Sequence, residues 1–121
     1  MTDRLAKLVA LRKAVETGEP FVGSLTAQVF APEHHALFCR ACGEGRAADS
    51  TDAALTLLGD VLPAVSWSIM FEPEDEGREY YASMNHHTND EMRFIHEFAP
   101  TLARALLLAM LSALIERERQ P

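Results

Sequence analysis

The sequence predicts an α+β domain: a small two- or three-stranded antiparallel sheet packed against several helices, with a long C-terminal helix in the core. Three features lead there. Apolar residues recur at three- and four-residue spacing over much of the chain, the mark of helices with one buried face. The period then switches to two over VSWSIMF (65–71), the mark of a half-buried strand. The longest apolar run, ALLLAMLSALI (105–115), is too short to span a bilayer and is bounded by Arg104 and Glu116, so it reads as a buried helix.

Each element follows in order. Residues 3–17 form a helix with Leu5, Leu8, Leu11 and Val15 on one stripe, and Arg4, Lys7, Arg12 and Lys13 largely away from it. Thr2 or Asp3 can cap its start, and Gly18 with Pro20 stops it. SLTAQVFA (24–31) is a short helix capped by Ser24. Pro32 opens the next helix at its first turn; it runs to about Cys42, where Gly43 and Gly45 end it. A polar linker at 46–50 leads to a helix over 51–62, with Ser50 as N-cap, Leu55, Leu58 and Leu62 on one side, and Pro63 beyond its end. In the strand that follows, Val65, Trp67, Ile69 and Phe71 share one face, and Ser66, Ser68 and Met70 the other. EPEDEGRE (72–79) is a polar turn, and YYASM (80–84) returns as the second strand of a hairpin with an acidic tip. NHHTNDE (85–91) reads as a loop and MRFIHEF (92–98) as a short third strand. Pro100 precedes the last helix, 101–118. Because so small a sheet is not stable alone, its Trp67–Ile69–Phe71 face needs a cover, and helix 101–118 supplies it with helix 51–62 alongside.

A chain of 121 residues, 48% of them hydrophobic, suits one domain with a single core, divided into an N-terminal helical part (1–49) and a helix–hairpin–helix core (50–118). Eighteen acidic against eleven basic residues give a net charge of −7. That excludes a broad phosphate-binding surface, so no direct nucleic-acid contact is expected, and it suits a protein partner with a basic surface. The start, MTDRLAKL, lacks the apolar stretch of a signal peptide, and two cysteines three positions apart then imply a reducing cytoplasm; no membrane contact is expected.

The segment order STDAALTLLGDVLPAVSWSI (50–69), an aromatic-bearing strand, then APTLARALLLAMLSALI (99–115) resembles small proteins of phages and prophages, including the phage α-β-α sandwich domain type. The features that carry it are Asp52–Ala53–Ala54–Leu55, Trp67, and the Pro-started, Ala/Leu-rich stretch from Pro100 to Ala109. LRKAVETGEPFVGSLTAQV (11–29) is similar to the leading helix and turn of such proteins. The resemblance covers most of the chain and implies a host-cell cytoplasmic setting, but it brings no catalytic role and no functional residue. EHHALFCRAC (33–42) and the His86–His87 pair stand outside its pattern.

Zinc is the first chemistry to weigh. Structural sites want four tetrahedral Cys or His ligands, commonly with a Cys-x2-Cys pair. Cys39 and Cys42 have that spacing, and on a helix His35 joins them at i, i+4 and i+7; His34, His86, His87 or His96 are the remaining donors. The competing reading makes both cysteines small buried residues beside Leu37 and Phe38. A redox role is disfavoured, because the thiols fall near a helix C-terminus, where the dipole opposes a thiolate, and no βαβ unit precedes them. In NHHTNDE, helical geometry would make His86/Asp90 and His87/Glu91 i, i+4 pairs, the basis of a metal-dependent enzyme, against the simpler view of a solvated loop. No nucleophile elbow or glycine-rich phosphate loop is present.

Glu72, Glu74, Asp75, Glu76 and Glu79, interrupted only by Arg78 among charged residues, form the sharpest charge feature. Such a run keeps an edge from aggregating, and it is also an anionic contact surface for a basic partner. The reading that results is non-enzymatic: a small acidic accessory protein that binds another protein, in one version an inhibitor that occupies the basic nucleic-acid groove of a host defence complex, as anti-CRISPR proteins do. A zinc-stabilised module and a metal-dependent enzyme are the alternatives. A homodimer is also expected, because helix 101–118 is apolar around nearly its whole circumference and either the first helix or a second subunit must cover it.

Overall fold

The structure, a computed structural model of the chain, describes residues 3–17, 22–41, 51–62, 66–70, 80–88, 91–99 and 101–119. Its elements are helices α1 (Asp3–Thr17), α2 (Val22–Val29), α3 (Pro32–Ala41) and α4 (Thr51–Val61), strands β1 (Ser66–Met70), β2 (Tyr80–Thr88) and β3 (Glu91–Ala99), and helix α5 (Leu102–Arg119). The α+β architecture is as the sequence predicts, with the sheet three-stranded in the order β1-β2-β3 and antiparallel throughout.

Two local expectations are corrected. α2 begins at Val22, so Ser24 is the third helical residue and not the cap. NHHT is not loop. It continues β2 to Thr88, and only Asn89 and Asp90 separate that strand from Glu91 at the start of β3. The short polar residues there compete poorly against a ladder that already pairs every position from Tyr80 with Ala99 to Thr88 with Glu91.

Cross-strand pairing fixes the two faces of the sheet. Trp67 lies opposite Met84, and Met84 opposite Ile95. Met84, Ile95 and Ala99 are buried, so the odd-numbered positions of β3 face the helices. In the register Trp67 pairs with Met84 and Ile69 with Ala82, and the sheet packs on α5 chiefly through β2 and β3. Phe71 lies outside the described residues.

α5 forms the centre of the molecule. Residues 105–111 and 113–115 are all buried, and Ser112 alone interrupts them. α1 lies along one side through Leu5, Leu8, Leu11 and Val15, α4 along another through Ala54, Leu57 and Leu58, and the sheet covers a third. α2 and α3 extend the helical layer, with Phe30 stacked on Phe38 at 5.7 Å between ring centroids. The apolar circumference of α5 is therefore covered from within the chain by α1, α4 and the sheet, which removes the reason that helix offered for a second subunit. Among the described residues no helix is long and apolar enough to cross a membrane.

Candidate functional site

Two places in the fold bear on function. The first is the side of the sheet turned away from the helices. Phe98 lies there, in one row with Tyr81 and Met70, and is 57% exposed. His96 on the same face is also exposed. Elsewhere on this side Ser83 is buried, and Asn85 Oδ1 is shielded from solvent without a hydrogen-bond partner. The exposed part thus lies toward the end of the sheet where the chain leaves β1 at Met70 and re-enters β2 at Tyr80. The segment joining those ends, 71–79, carries Glu72, Glu74, Asp75, Glu76 and Glu79, and the five carboxylates lie outside the described residues.

The second is a polar cluster between α2 and α3. The fully buried Thr26 hydroxyl meets His35 Nδ1 at 2.6 Å. Cys39, one turn further along α3, is part-buried, with Sγ at 3.8 Å from His35 Nδ1 and 3.9 Å from Nε2. The helical spacing read from the sequence does bring His35 and Cys39 together. Cys42 lies just past the described end of α3. His34 turns toward α4, with Nε2 4.0 Å from Asp60 Oδ2. Among the described residues, no group of three or more His, Cys, Asp or Glu side chains converges as a metal site would.

His86 and His87 belong to β2 and not to a helix, so the helical spacing on which their i, i+4 reading rests is absent there; Asp90 lies outside the described residues. The register puts His86 opposite Arg93 and His87 opposite Met92, on opposite faces of the sheet, where adjacent strand residues must lie.

A third cluster was not visible in the sequence. Arg12 on α1 donates from Nε to Ser112 Oγ of α5 at 2.9 Å, and from one terminal nitrogen to both oxygens of Glu97 on β3 at 2.6 and 2.8 Å. Its other terminal nitrogen reaches Glu16 at 2.8 Å. Ser112 in turn donates to Glu97 Oε1 at 2.7 Å. The sequence placed Arg12 off the apolar stripe and so toward water. It instead ties α1, β3 and α5 together, and Glu97's side chain is only 14% exposed. Burial works against the Arg12 charge, but the hydrogen bond and attraction of Glu97, with a further contribution from Glu16, outweigh it and hold the guanidinium above its ordinary range. One signal was available: a serine inside an otherwise unbroken apolar run marks a place where a polar partner must be met. Thr26 and Phe98 gave weaker signals, a threonine in a short apolar helix and the even positions of an alternating strand.

These three clusters are polar packing, an exposed aromatic and a Cys–His pair, and none reproduces a known catalytic arrangement. No family model, no curated protein and no solved structure matches the chain.

Proposed function

We propose that this is a small acidic protein of phage type that acts without catalysis, by binding another protein through the exposed end of its sheet. The observation that carries the reading is Phe98, a large aromatic 57% exposed in a row next to the strand ends joined by EPEDEGRE. Aromatic anchors surrounded by charge are the usual makeup of a binding patch: the ring supplies affinity and the rim supplies approach rate and selectivity. The net charge of −7 selects a partner whose own surface is basic. The finer version, a basic nucleic-acid groove in a host defence complex as the occupied surface, is supported by that charge and by the resemblance described above.

The test is capture from a bacterial lysate on the immobilised chain at two salt concentrations. A single basic protein should be retained at low salt and released as salt rises. Reversing Glu74, Asp75 and Glu76 to lysine should weaken capture at least tenfold and flatten its salt dependence, since the steering charges are lost. A partner bound equally well by the reversed protein would reject the acidic-surface reading.

A further inference from the structure

We infer that two copies of this chain join through β3, antiparallel and centred on Ile95, so that two three-stranded sheets become one continuous sheet. This rests on the strand order and sequence, and depends neither on the protein-binding reading nor on α5.

The edge comes first. In the order β1-β2-β3, β3 ends the sheet and has β2 as its strand neighbour. A strand in that place aims one row of backbone N–H and C=O groups away from its neighbour, a template for a further strand. Proteins usually blunt such an edge by shortening it, bulging it, or placing lysine or proline in it. The other edge, β1, is only five residues long. β3 runs for nine residues, contains no lysine or proline, and pairs with β2 without a bulge from Glu91 to Ala99. Its odd positions face the helices, and its even positions, Met92, Phe94, His96 and Phe98, carry no carboxylate.

The strand's own sequence names the occupant. β3 reads EMRFIHEFA, and Ile95 is its midpoint. A two-fold axis through that residue, perpendicular to the sheet, overlaps β3 with its copy along the whole strand and keeps both helical layers on one face. Arg93 then falls opposite the partner's Glu97, and symmetry repeats the pair. Met92 falls opposite the partner's Phe98, and Phe94 opposite the partner's His96. Opposite charges and apolar or aromatic pairs across neighbouring strands stabilise a sheet, whereas like charges oppose it. The neighbouring registers lack this match. Centring on Phe94 sets Glu91 opposite the partner's Glu97, and centring on His96 leaves Arg93 opposite the partner's Ala99. Opposed positions are both odd or both even, so whichever set aims its backbone outward meets the same set on the copy. Glu97 is already held by Arg12 and Ser112, and its Oε2, which accepts from Arg12, has capacity for a second donor. Charges further apart than about 8 Å are largely screened at physiological salt, so the net charge of −7 on each copy does not outweigh the pairs at the seam.

The test is sedimentation equilibrium of the full chain from low to high micromolar concentration, where a reversible dimer is expected. Met92→Glu/Phe98→Glu sets like charges opposite each other at two places and should weaken the dimer at least tenfold, as should Met92→Lys/Phe98→Lys. Met92→Lys/Phe98→Glu sets lysine opposite glutamate at both places and should keep the dissociation constant within about threefold of wild type. The reversed exchange, Met92→Glu/Phe98→Lys, should behave alike. Circular dichroism on each variant separates loss of association from loss of fold. A wild-type chain that stays monomeric at high micromolar concentration overturns the inference. A ranking that follows net charge alone, with the double-lysine chain associating best, overturns it too, as do mixed chains that dimerise no better than the double-glutamate chain.

Discussion

Replacing Leu111 with alanine is expected to lower stability by about 3–4 kcal/mol, the usual cost of a cavity at a fully buried leucine. Leu111 is 0% exposed at the centre of α5. Helices on two sides and the sheet on a third hold the surroundings in place, so the site cannot collapse to fill the space. In a domain of this size that corresponds to a fall of roughly 10–15 °C in the thermal midpoint. The exposed Val9→Ala on α1, at 38% exposure, should change stability by less than about 0.5 kcal/mol and serves as the internal control. Equal effects of the two substitutions in chemical denaturation would mean that α5 is not the centre of the core.

Arg12→Met is the second large effect, expected to cost about 2–3 kcal/mol. Removing one partner of a buried pair leaves the other charge without compensation, and this is worse than never having had the pair. Among the described residues Glu97 would keep only the Ser112 hydroxyl, with its side chain 14% exposed. The cost falls below the ~3–5 kcal/mol usual for a fully buried pair because Arg12 itself is 30% exposed on its side chain. The double variant Arg12→Met/Glu97→Met should recover most of the loss, since a buried ion pair replaced by apolar groups of similar volume is often neutral. The sign with pH follows from the raised arginine. A group whose folded pKa lies above its unfolded value contributes fully below the unfolded value and loses that contribution only above it, so Arg12 supports the fold at every pH short of the alkaline arginine range. Urea midpoints for the single and double variants decide the matter; a double variant less stable than Arg12→Met would contradict the pairing.

The sequence made the architecture legible because its apolar periods are clean. Leu5, Leu8 and Leu11 return at one helical spacing and all three are buried, and Trp67 and Ile69 alternate with serines along β1. The run at 105–115 had no exposed face to offer, and it is the core helix. Local polarity misled where tertiary pairing decides. The histidines of NHHT resemble a loop in isolation and are strand because β3 lies opposite them at every position. Arg12 looked solvent-bound because a charge on a helix usually is, and only the fold brings Glu97 and Ser112 to it from 85 and 100 residues away. The candidate sites divide in the same way. The i, i+4 relation of His35 to Cys39 is local and was readable. Thr26 comes from a neighbouring helix and the exposure of Phe98 depends on which face the helices cover, so neither could be read from spacing.

The measurement that bears most directly on the binding surface compares Phe98→Ser with Val9→Ser in capture of the same lysate protein. Both side chains are large, apolar and exposed, at 57% and 38%, but only Phe98 lies on the sheet, in the row that it shares with Tyr81 and Met70. Phe98→Ser should reduce capture by tenfold or more while the fold is intact, and Val9→Ser should leave it unchanged. Undiminished capture by Phe98→Ser, or an equal loss in Val9→Ser, would contradict the assignment of that face as the contact surface.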